Sequence, residues 1–289
     1  MIYNITAATG QLGSKIVEAA LKVIKPEELI LTVRSPKRAS QYMSQGVSVK
    51  KADYNAEIEL IEAFKNTDVL IYIPSIVVPN LPRVTEFENA VVAAEKAKVK
   101  HFIYVGFCAD HENNPFKMSP AFGYAHRRLA SSDLEYTYIR NAMYADPLPP
   151  YMPELIKREK LIYPAEEGKI SFISRSDIAK AVIKIATDKK LQGNKYTLTG
   201  NRNYSMVELA SLLSEISGKT IKYNPMTVEE FAVTYDQPKG FGTTLASLYV
   251  AAAYNLLGEV TNDYKTITGE ETEDLYNFIK REYRSKLND

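Results

Sequence analysis

Residues 1–13 read MIYNITAATGQLG, and residues 14–25 continue SKIVEAALKVIK. Ile2 to Thr6 reads as a short apolar strand. A turn of small residues follows and ends in Gly10-Gln11-Leu12-Gly13. Leu12, Ile16, Ala20 and Ile24 then recur at helical spacing, and Pro26 closes that helix because its ring cannot continue one. Strand, glycine turn and helix in immediate succession is how a doubly wound α/β fold holds a dinucleotide. The glycines let the backbone approach a pyrophosphate, and the helix N-terminus meets it with free N–H groups and a positive dipole end. The spacing G-x-x-G-x-x-G would place its first glycine at position 7, where this chain has Ala7. Alanine suits a tight turn there if its φ stays negative.

Working outward, the first half keeps the same beat. Leu29 to Val33, Val47 to Lys51, Val69 to Ile73, Phe102 to Val105 and Tyr136 to Arg140 read as strands. Helices between them carry Ile58, Ile61 and Phe64, then Val84, Phe87, Val91 and Ala94 after Pro82, then the run Tyr124 to Ser131. Val69 to Ile73 is apolar on both faces, as a buried parallel strand should be. The expectation is a doubly wound parallel sheet with right-handed crossovers. The second half is less regular. Leu161 to Tyr163, Ile170 to Ile173 and Tyr196 to Thr199 read as short strands. Ser176-Asp177 opens a helix with Ile178, Ala181, Val182 and Ile185 facing inward. Ser205 to Glu208 and Thr227 to Glu230 are capping boxes. The apolar stripes Leu245 to Leu256 and Leu275, Phe278 and Ile279 read as core. This predicts a smaller mixed α/β C-terminal lobe, with domains at 1–145 and 146–289 and sheet contributions from about 161–200. The stretch Asp146-Pro147-Leu148-Pro149-Pro150 reads as a boundary loop.

The bulk numbers exclude several classes of function. Lys plus Arg is 36 and Asp plus Glu is 35, so no global field draws the chain to nucleic acid or an anionic membrane. Cys108 is the single cysteine, which excludes an intrachain disulfide and suits a reducing compartment. Its plainest role is that of a small buried apolar residue. No apolar run has the length of a membrane span, and the N-terminus shows no basic leader. The expectation is a cytoplasmic monomer or homodimer acting on a small molecule, with no direct nucleic-acid or membrane contact. The three histidines and one cysteine form no metal-ligand cluster.

Cofactor choice is read at the end of the second strand. An NAD site wants a carboxylate there for the ribose 2′-hydroxyl. This chain has Arg34-Ser35-Pro36-Lys37-Arg38, three cations and no acid. Arg34 suits adenine stacking and pairing with a 2′-phosphate, and Lys37 adds charge, so NADP(H) is favoured over NAD. Asp53 in KKADYN stands where a carboxylate accepts from the adenine amino group; a turn or helix cap explains it equally well. Ile73-Pro74-Ser75 ends the fourth strand, next to the path of the ribose and pyrophosphate.

Catalytic residues are less evident. Reductases of this fold use Tyr-x-x-x-Lys, in which the cation lowers the tyrosine pKa so that the phenol delivers a proton. Tyr124-Ala125-His126-Arg127-Arg128 has that spacing with Arg128 for lysine, and it follows the fifth strand. With 20 tyrosines and 36 basic residues in 289, about two or three such matches arise by chance. Tyr136/Arg140 and Tyr276/Lys280 read as structural. His126 is a second candidate proton donor; the alternative is a hydrogen-bonded helix residue. Gly106 occupies the position of the partner hydroxyl at the end of strand five.

These stretches resemble the NmrA-like branch of the atypical short-chain dehydrogenases/reductases. TAATGQLGSKIVEAAL resembles its TGATGQLG opening, LTVRSPKRA its strand-two arginine turn, and KKADYN its adenine-side aspartate. LEYTYIRNAMYAD resembles its glpyTilRngmY segment and ISFISRSDIAKAVI its v.v.DiA.av helix, so the motifs run from position 1 to about 190. The resemblance implies a Rossmann domain in which Thr6, Thr9, Gly10, Gln11, Leu12, Gly13, Arg34, Lys37 and Ser75 line the cofactor. It also implies that Asn141, Met143 and Tyr144, with Phe107, border the substrate. Members include flavin-free NADPH-dependent quinone oxidoreductases and co-regulators that bind NAD(P) without turning it over, and many are labelled nucleoside-diphosphate-sugar epimerases. Ala7, Gly106 and Arg128 depart from the pattern. Three functions follow: an NADPH-dependent reductase of a quinone or small carbonyl compound, an NADP(H)-sensing regulator, and an epimerase or dehydratase. The missing relay residues weigh against the third.

Overall fold

The computed structural model describes residues 1–287. The chain forms two compact units interleaved in sequence, the first from residues 1–107, 120–140 and 175–197, the second from 108–119, 141–174 and 198 onward. In chain order the elements are β1 (Tyr3–Thr6), α1 (Gln11–Ala20), β2 (Leu29–Val33), α2 (Ser40–Met43), β3 (Ser48–Lys51), α3 (Glu57–Phe64), β4 (Val69–Tyr72), α4 (Asn80–Lys96), β5 (His101–Phe107), α5 (Ser119–Ala130) and β6 (Tyr136–Asn141). They continue with β7 (Met143–Tyr144), α6 (Leu148–Arg158), β8 (Lys160–Leu161), β9 (Lys169–Ile173), α7 (Arg175–Thr187) and β10 (Lys195–Leu198). The last are β11 (Asn203–Ser205), α8 (Met206–Ser217), β12 (Lys222–Tyr223), α9 (Val228–Thr234), α10 (Phe241–Ala253), α11 (Asp263–Thr268) and α12 (Leu275–Leu287).

The first unit is a doubly wound sheet of seven strands in the order β10-β6-β5-β4-β1-β2-β3. The β1–β2, β2–β3, β1–β4 and β4–β5 pairs are parallel. The chain steps outward from β1 to β3, then returns to the other side of β1 to lay down β4. That reversal opens a crevice beyond the carboxyl ends of β1 and β4, the usual ligand position in such sheets. β1, β2 and β4 are buried along their whole lengths, which is why they read as unbroken apolar runs. An aromatic layer supports β4 and β5. Tyr72 packs 5.4 Å from Phe87 and 5.7 Å from Phe102, and Tyr104 stacks on Tyr138 at 5.0 Å. Each such pair adds about 1 kcal/mol beyond simple area burial.

A single cut near residue 145 does not describe the chain. α7 packs against α1 and buries Ile178, Ala181, Val182 and Ile185, and β10 extends the sheet beyond β6, so both belong to the first unit. α1 itself ends at Ala20 rather than at Pro26, although Ile24 stays buried.

At the amino end of β5, His101 is buried and its Nε2 lies 2.8 Å from Thr137 Oγ1. Burial disfavours the imidazolium and pushes the pKa down to about 4. Between pH 6.5 and about 4 the unfolded chain therefore binds a proton that the folded chain refuses, and stability falls as pH falls through that window. His101→Gln is expected to lessen this acid loss by on the order of 2 kcal/mol, allowing for residual solvent screening. Urea titrations at pH 7 and pH 4.5 check it; equal pH dependence in variant and wild type would refute it.

The second unit contains a three-stranded sheet, β11-β9-β7, a two-stranded sheet, β12-β8, and helices α6 and α8 to α12. Both expected capping boxes form: Glu208 N–H donates to Ser205 Oγ at 3.2 Å, and Glu230 N–H to Thr227 Oγ1 at 3.2 Å. Tyr163 stacks on Tyr249 at 4.1 Å, with Phe231 5.4 Å from Tyr249, forming an aromatic nest. The Pro-rich stretch is not a loop. Pro147 is the N-cap of α6, and Pro149 and Pro150 lie in its first turn, where a missing N–H costs nothing.

Candidate functional site

The site is built at the carboxyl ends of β1, β2 and β4, all within the first unit. After Thr6 the chain turns sharply: Gly10 N–H donates to the Ala7 carbonyl at 2.9 Å, and α1 begins at Gln11. Gly10 is the N-cap and offers no side-chain acceptor, and no acid stands in the first helical turn. The N–H groups of Gln11, Leu12 and Gly13 therefore open α1 without a carbonyl four residues back or a capping side chain. Gly13 brings this end of the helix onto the strand. A Cβ there would lie 2.2 Å from the Ala7 carbonyl oxygen and 2.9 Å from Ala8 Cα.

Ala7 departs from expectation, because its φ is +49°. The turn needs the left-handed conformation that glycine adopts freely and alanine adopts at a cost of about 1 kcal/mol. Ala7→Gly is expected to stabilise the protein by about 0.5–1 kcal/mol, the gain being trimmed by the greater freedom of glycine in the unfolded chain. A thermal midpoint at or below that of wild type would show that the turn carries no such strain.

Beyond β2, Arg34, Lys37 and Arg38 are exposed. Arg38 Nη2 donates to the Thr9 carbonyl at 3.4 Å, tying the basic turn to the glycine turn. Among the described residues, neither Arg34 nor Lys37 forms an ion pair. Two unpaired cations beside an uncapped helix N-terminus suit a ligand with several phosphates.

Several of the expected cofactor residues play other parts. Thr6 is fully buried, and its Oγ1 accepts from Ile73 N–H at 3.0 Å. It holds β1 to the end of β4 rather than lining the crevice. Ile73 is itself buried, leaving only Pro74 and Ser75 half-exposed at that edge. The Ser75 hydroxyl donates to the buried Glu86 carboxylate of α4 and accepts from Val77 N–H at 3.3 Å, so it serves the loop. Asp53 Oδ1 accepts from Asn55 N–H at 2.9 Å and Asn55 Nδ2 at 3.1 Å, which is turn geometry, one of the alternatives given for it; the N-cap of α3 is Ala56. Thr9 is half-exposed, Gly10 and Gln11 are exposed, and the Leu12 side chain is buried beneath its own N–H.

The proposed proton relay is not assembled. The Tyr124 phenol donates to Glu88 Oε2 on α4 at 2.7 Å. Burial and this carboxylate raise its pKa, the reverse of what a proton-delivering tyrosine requires. Arg128 Nε also pairs with Glu88 at 2.8 Å, and its Nη2 lies 3.5 Å from Glu95. The network ties α5 to α4 and leaves the Tyr124 phenol bonded to a carboxylate. Glu88 has no signature in the sequence that would announce it. His126, also on α5, packs 4.7 Å from the Tyr138 ring of β6. A serine at 106 has no room, because its Cβ would meet Tyr104 Cε1 at 2.4 Å. A further pairing at the relay spacing, Tyr235 with Lys239, lies in the second unit, where the phenol donates to Glu154 at 2.8 Å.

Phe107 lies in the first unit, half-buried and 5.7 Å from Phe122. Asn141, Met143 and Tyr144 lie in the second: Asn141 is buried, and Met143 and Tyr144 form β7, paired with Phe172 and Ile173 of β9. A separate concavity of about 540 Å³, lined by Asp68, Lys100, His101, Glu135 and Lys189, opens at the amino ends of β4 and β5, the edge opposite the glycine turn. Among the described residues no group of acids, histidines and cysteine could hold a metal, and no helix is long and apolar enough to cross a membrane.

A doubly wound sheet with a glycine turn, an uncapped helix at its switch point and a basic second turn defines a dinucleotide-binding protein of the Rossmann class. Within that class the chain belongs to the NmrA-like family, whose sequence profile matches residues 3–285. It is similar to quinone oxidoreductase 2 of Escherichia coli (strain K12), 29% identical over 267 residues and 91% of each chain. The crystal structure of that NADPH-dependent quinone oxidoreductase with NADPH matches with a TM-score of 0.91 at 28% identity over all of both chains. A Staphylococcus aureus protein described as a nucleoside-diphosphate-sugar epimerase matches with a TM-score of 0.94 at 44% identity, over 97% of this chain and 100% of that one. The triphenylmethane reductase of Citrobacter sp., complexed with NADP(H), matches with a TM-score of 0.89 at 26% identity, over 98% and 99%.

Proposed function

We propose that this protein binds NADP(H) at the switch point of its first unit and reduces a quinone or a similar small conjugated acceptor. One observation carries the reading: Arg34 and Lys37 stand without anionic partners beside the uncapped N-terminus of α1. The site fits the cofactor, since the first N–H groups of α1 have no capping side chain and Gly13 seats that end of the helix against the Ala7 and Ala8 backbone, where a Cβ would have no room. The N–H groups of Gln11, Leu12 and Gly13 would hold the pyrophosphate, and Arg34 and Lys37 the 2′-phosphate. NADPH, when bound, supplies the hydride. The protein contributes binding, orientation and exclusion of water, and with Tyr124 committed to Glu88 the acceptor's proton comes from solvent. Quinones suit such a site, because a hydroquinone oxygen takes its proton from water readily. The relatives' quinone and dye reductions agree with this choice.

Purified protein mixed with NADPH and a panel of quinones and triphenylmethane dyes, followed by loss of reduced-nicotinamide absorbance, tests the reading. Turnover with NADPH in clear preference to NADH is expected. NADPH binding without turnover on any acceptor would favour the second reading, an NADP(H)-sensing regulator, which the Tyr124–Glu88 contact and the occupied space at Gly106 also support. The epimerase reading needs a competent tyrosine and a partner hydroxyl, and here the first is held by a carboxylate and the second is sterically excluded. A cytoplasmic monomer or homodimer accords with all of these.

A further inference from the structure

Tyr54 follows Asp53 in the turn between β3 and α3, and its hydroxyl reaches the sheet beneath the crevice. Tyr54 Oη lies 2.6 Å from Thr6 Oγ1 and 2.8 Å from the Ile73 carbonyl oxygen. A carbonyl only accepts, so the phenol proton goes to Ile73 and the Thr6 hydroxyl donates to Tyr54 Oη. Ile73 N–H in turn donates to Thr6 Oγ1 at 3.0 Å. The three groups close a hydrogen-bonded ring. The contact of Thr6 Oγ1 with the Ile71 carbonyl, at 3.4 Å, is the weaker alternative for its proton.

The ring joins the ends of two strands that launch opposite walls of the crevice. Thr6 is followed by Ala7, whose carbonyl receives Gly10 N–H and faces Gly13. Ile73 is followed by Pro74 and Ser75. Tyr54 is braced in turn: its carbonyl accepts from Asn89 Nδ2 at 2.9 Å, and its ring packs 5.0 Å from Tyr72. β1 and β4 already pair in register from Tyr3 to Ile5, so the ring is not needed to form the sheet. It begins where that ladder stops.

We propose that Tyr54 is a positioning residue for the dinucleotide, its hydroxyl setting the glycine turn after β1 and the loop after β4 at a fixed separation through Thr6 and Ile73. This rests on the reading that the first unit binds NADP(H). In this role the phenol works through Thr6 and Ile73, to which its hydroxyl is bonded. It acts by holding the N–H groups of α1 and the β4 loop in one geometry, so that no binding energy is spent ordering them.

The test uses the full chain, with NADPH affinity read by nicotinamide fluorescence titration, thermal midpoint read separately, and steady-state KM and kcat where an acceptor is turned over. Tyr54→Phe is expected to raise the NADPH Kd by about fivefold or more, with the change falling in KM rather than kcat. Thr6→Val is expected to do the same, Thr6→Ser to retain wild-type affinity, and the Tyr54→Phe/Thr6→Val double variant to be no weaker than either single one, because the ring acts as a unit. A Kd for Tyr54→Phe within twofold of a wild type that binds NADPH overturns the proposal and leaves the proposed cofactor standing. A lowered midpoint with unchanged Kd overturns it equally, as a purely structural role gives that result. A wild type with no affinity for NADPH overturns both. If Thr6→Val does not fold, Tyr54→Phe and Thr6→Ser still decide the question.

Discussion

Gly13→Ala is expected to destabilise the protein by about 3 kcal/mol, lowering its thermal midpoint by roughly 6–10 °C, and to abolish detectable NADPH binding. The added methyl meets the Ala7 carbonyl oxygen at 2.2 Å and the Ala7 carbonyl carbon at 2.9 Å. Both are backbone atoms, so no side chain can swing aside. Either the turn opens or α1 lifts from β1, and lifting is opposed by α7 packed against α1. Both movements displace the N–H groups offered to the pyrophosphate. Gly10→Ala is the internal comparison. Its Cβ would stand 3.2 Å from the same oxygen, tight but tolerable, and a cost of about 1 kcal/mol or less is expected. Calorimetry and nucleotide titration on the two variants check the contrast, and equal costs would refute it.

The second large effect concerns the choice of nucleotide. The Arg34→Ala/Lys37→Ala variant is expected to bind NADPH about 30- to 100-fold more weakly, while its affinity for NADH changes by no more than about threefold. Each cation lacks a carboxylate partner, so its removal leaves no buried charge behind and the fold should be untouched. Wild-type affinity for NADPH should also fall as salt rises, and the variant's should be far less sensitive, because the lost term is a screened charge interaction at the surface. A parallel weakening of NADH would mean that these residues act on the shared adenine or pyrophosphate instead.

Much of this was open to reading along the chain. The apolar runs at β1, β2 and β4 announce buried parallel strands because both faces of such strands must be apolar. Gly13 announces a close approach of backbone because a side chain there has no room, Gly10 announces the tight turn before the helix, and the absence of an acid near Arg34 announces the character of the second turn. The SDIAKAVI segment announces a buried helix by its small and branched apolar residues. All of these are properties of residue type and local spacing, and they survive folding unchanged.

Other properties belong to pairs of residues far apart in sequence, and only the tertiary structure decided them. Tyr124 and Arg128 carry an inviting spacing, yet Glu88, a helix away, takes both and moves the phenol's pKa in the wrong direction for proton delivery. Gly106 looks like a missing hydroxyl, and the Tyr104 ring is the reason it is glycine. Thr6 was legible as a residue of the nucleotide turn, but Tyr54 and Ile73 turn its side chain into the sheet. The positive φ of Ala7 is likewise set by where β1 must deliver the chain to α1, not by any preference of alanine. Local chemistry marks where a dinucleotide belongs. Long-range packing determines which polar groups remain free to meet it, since every buried donor and acceptor must first be satisfied by whatever the fold places beside it.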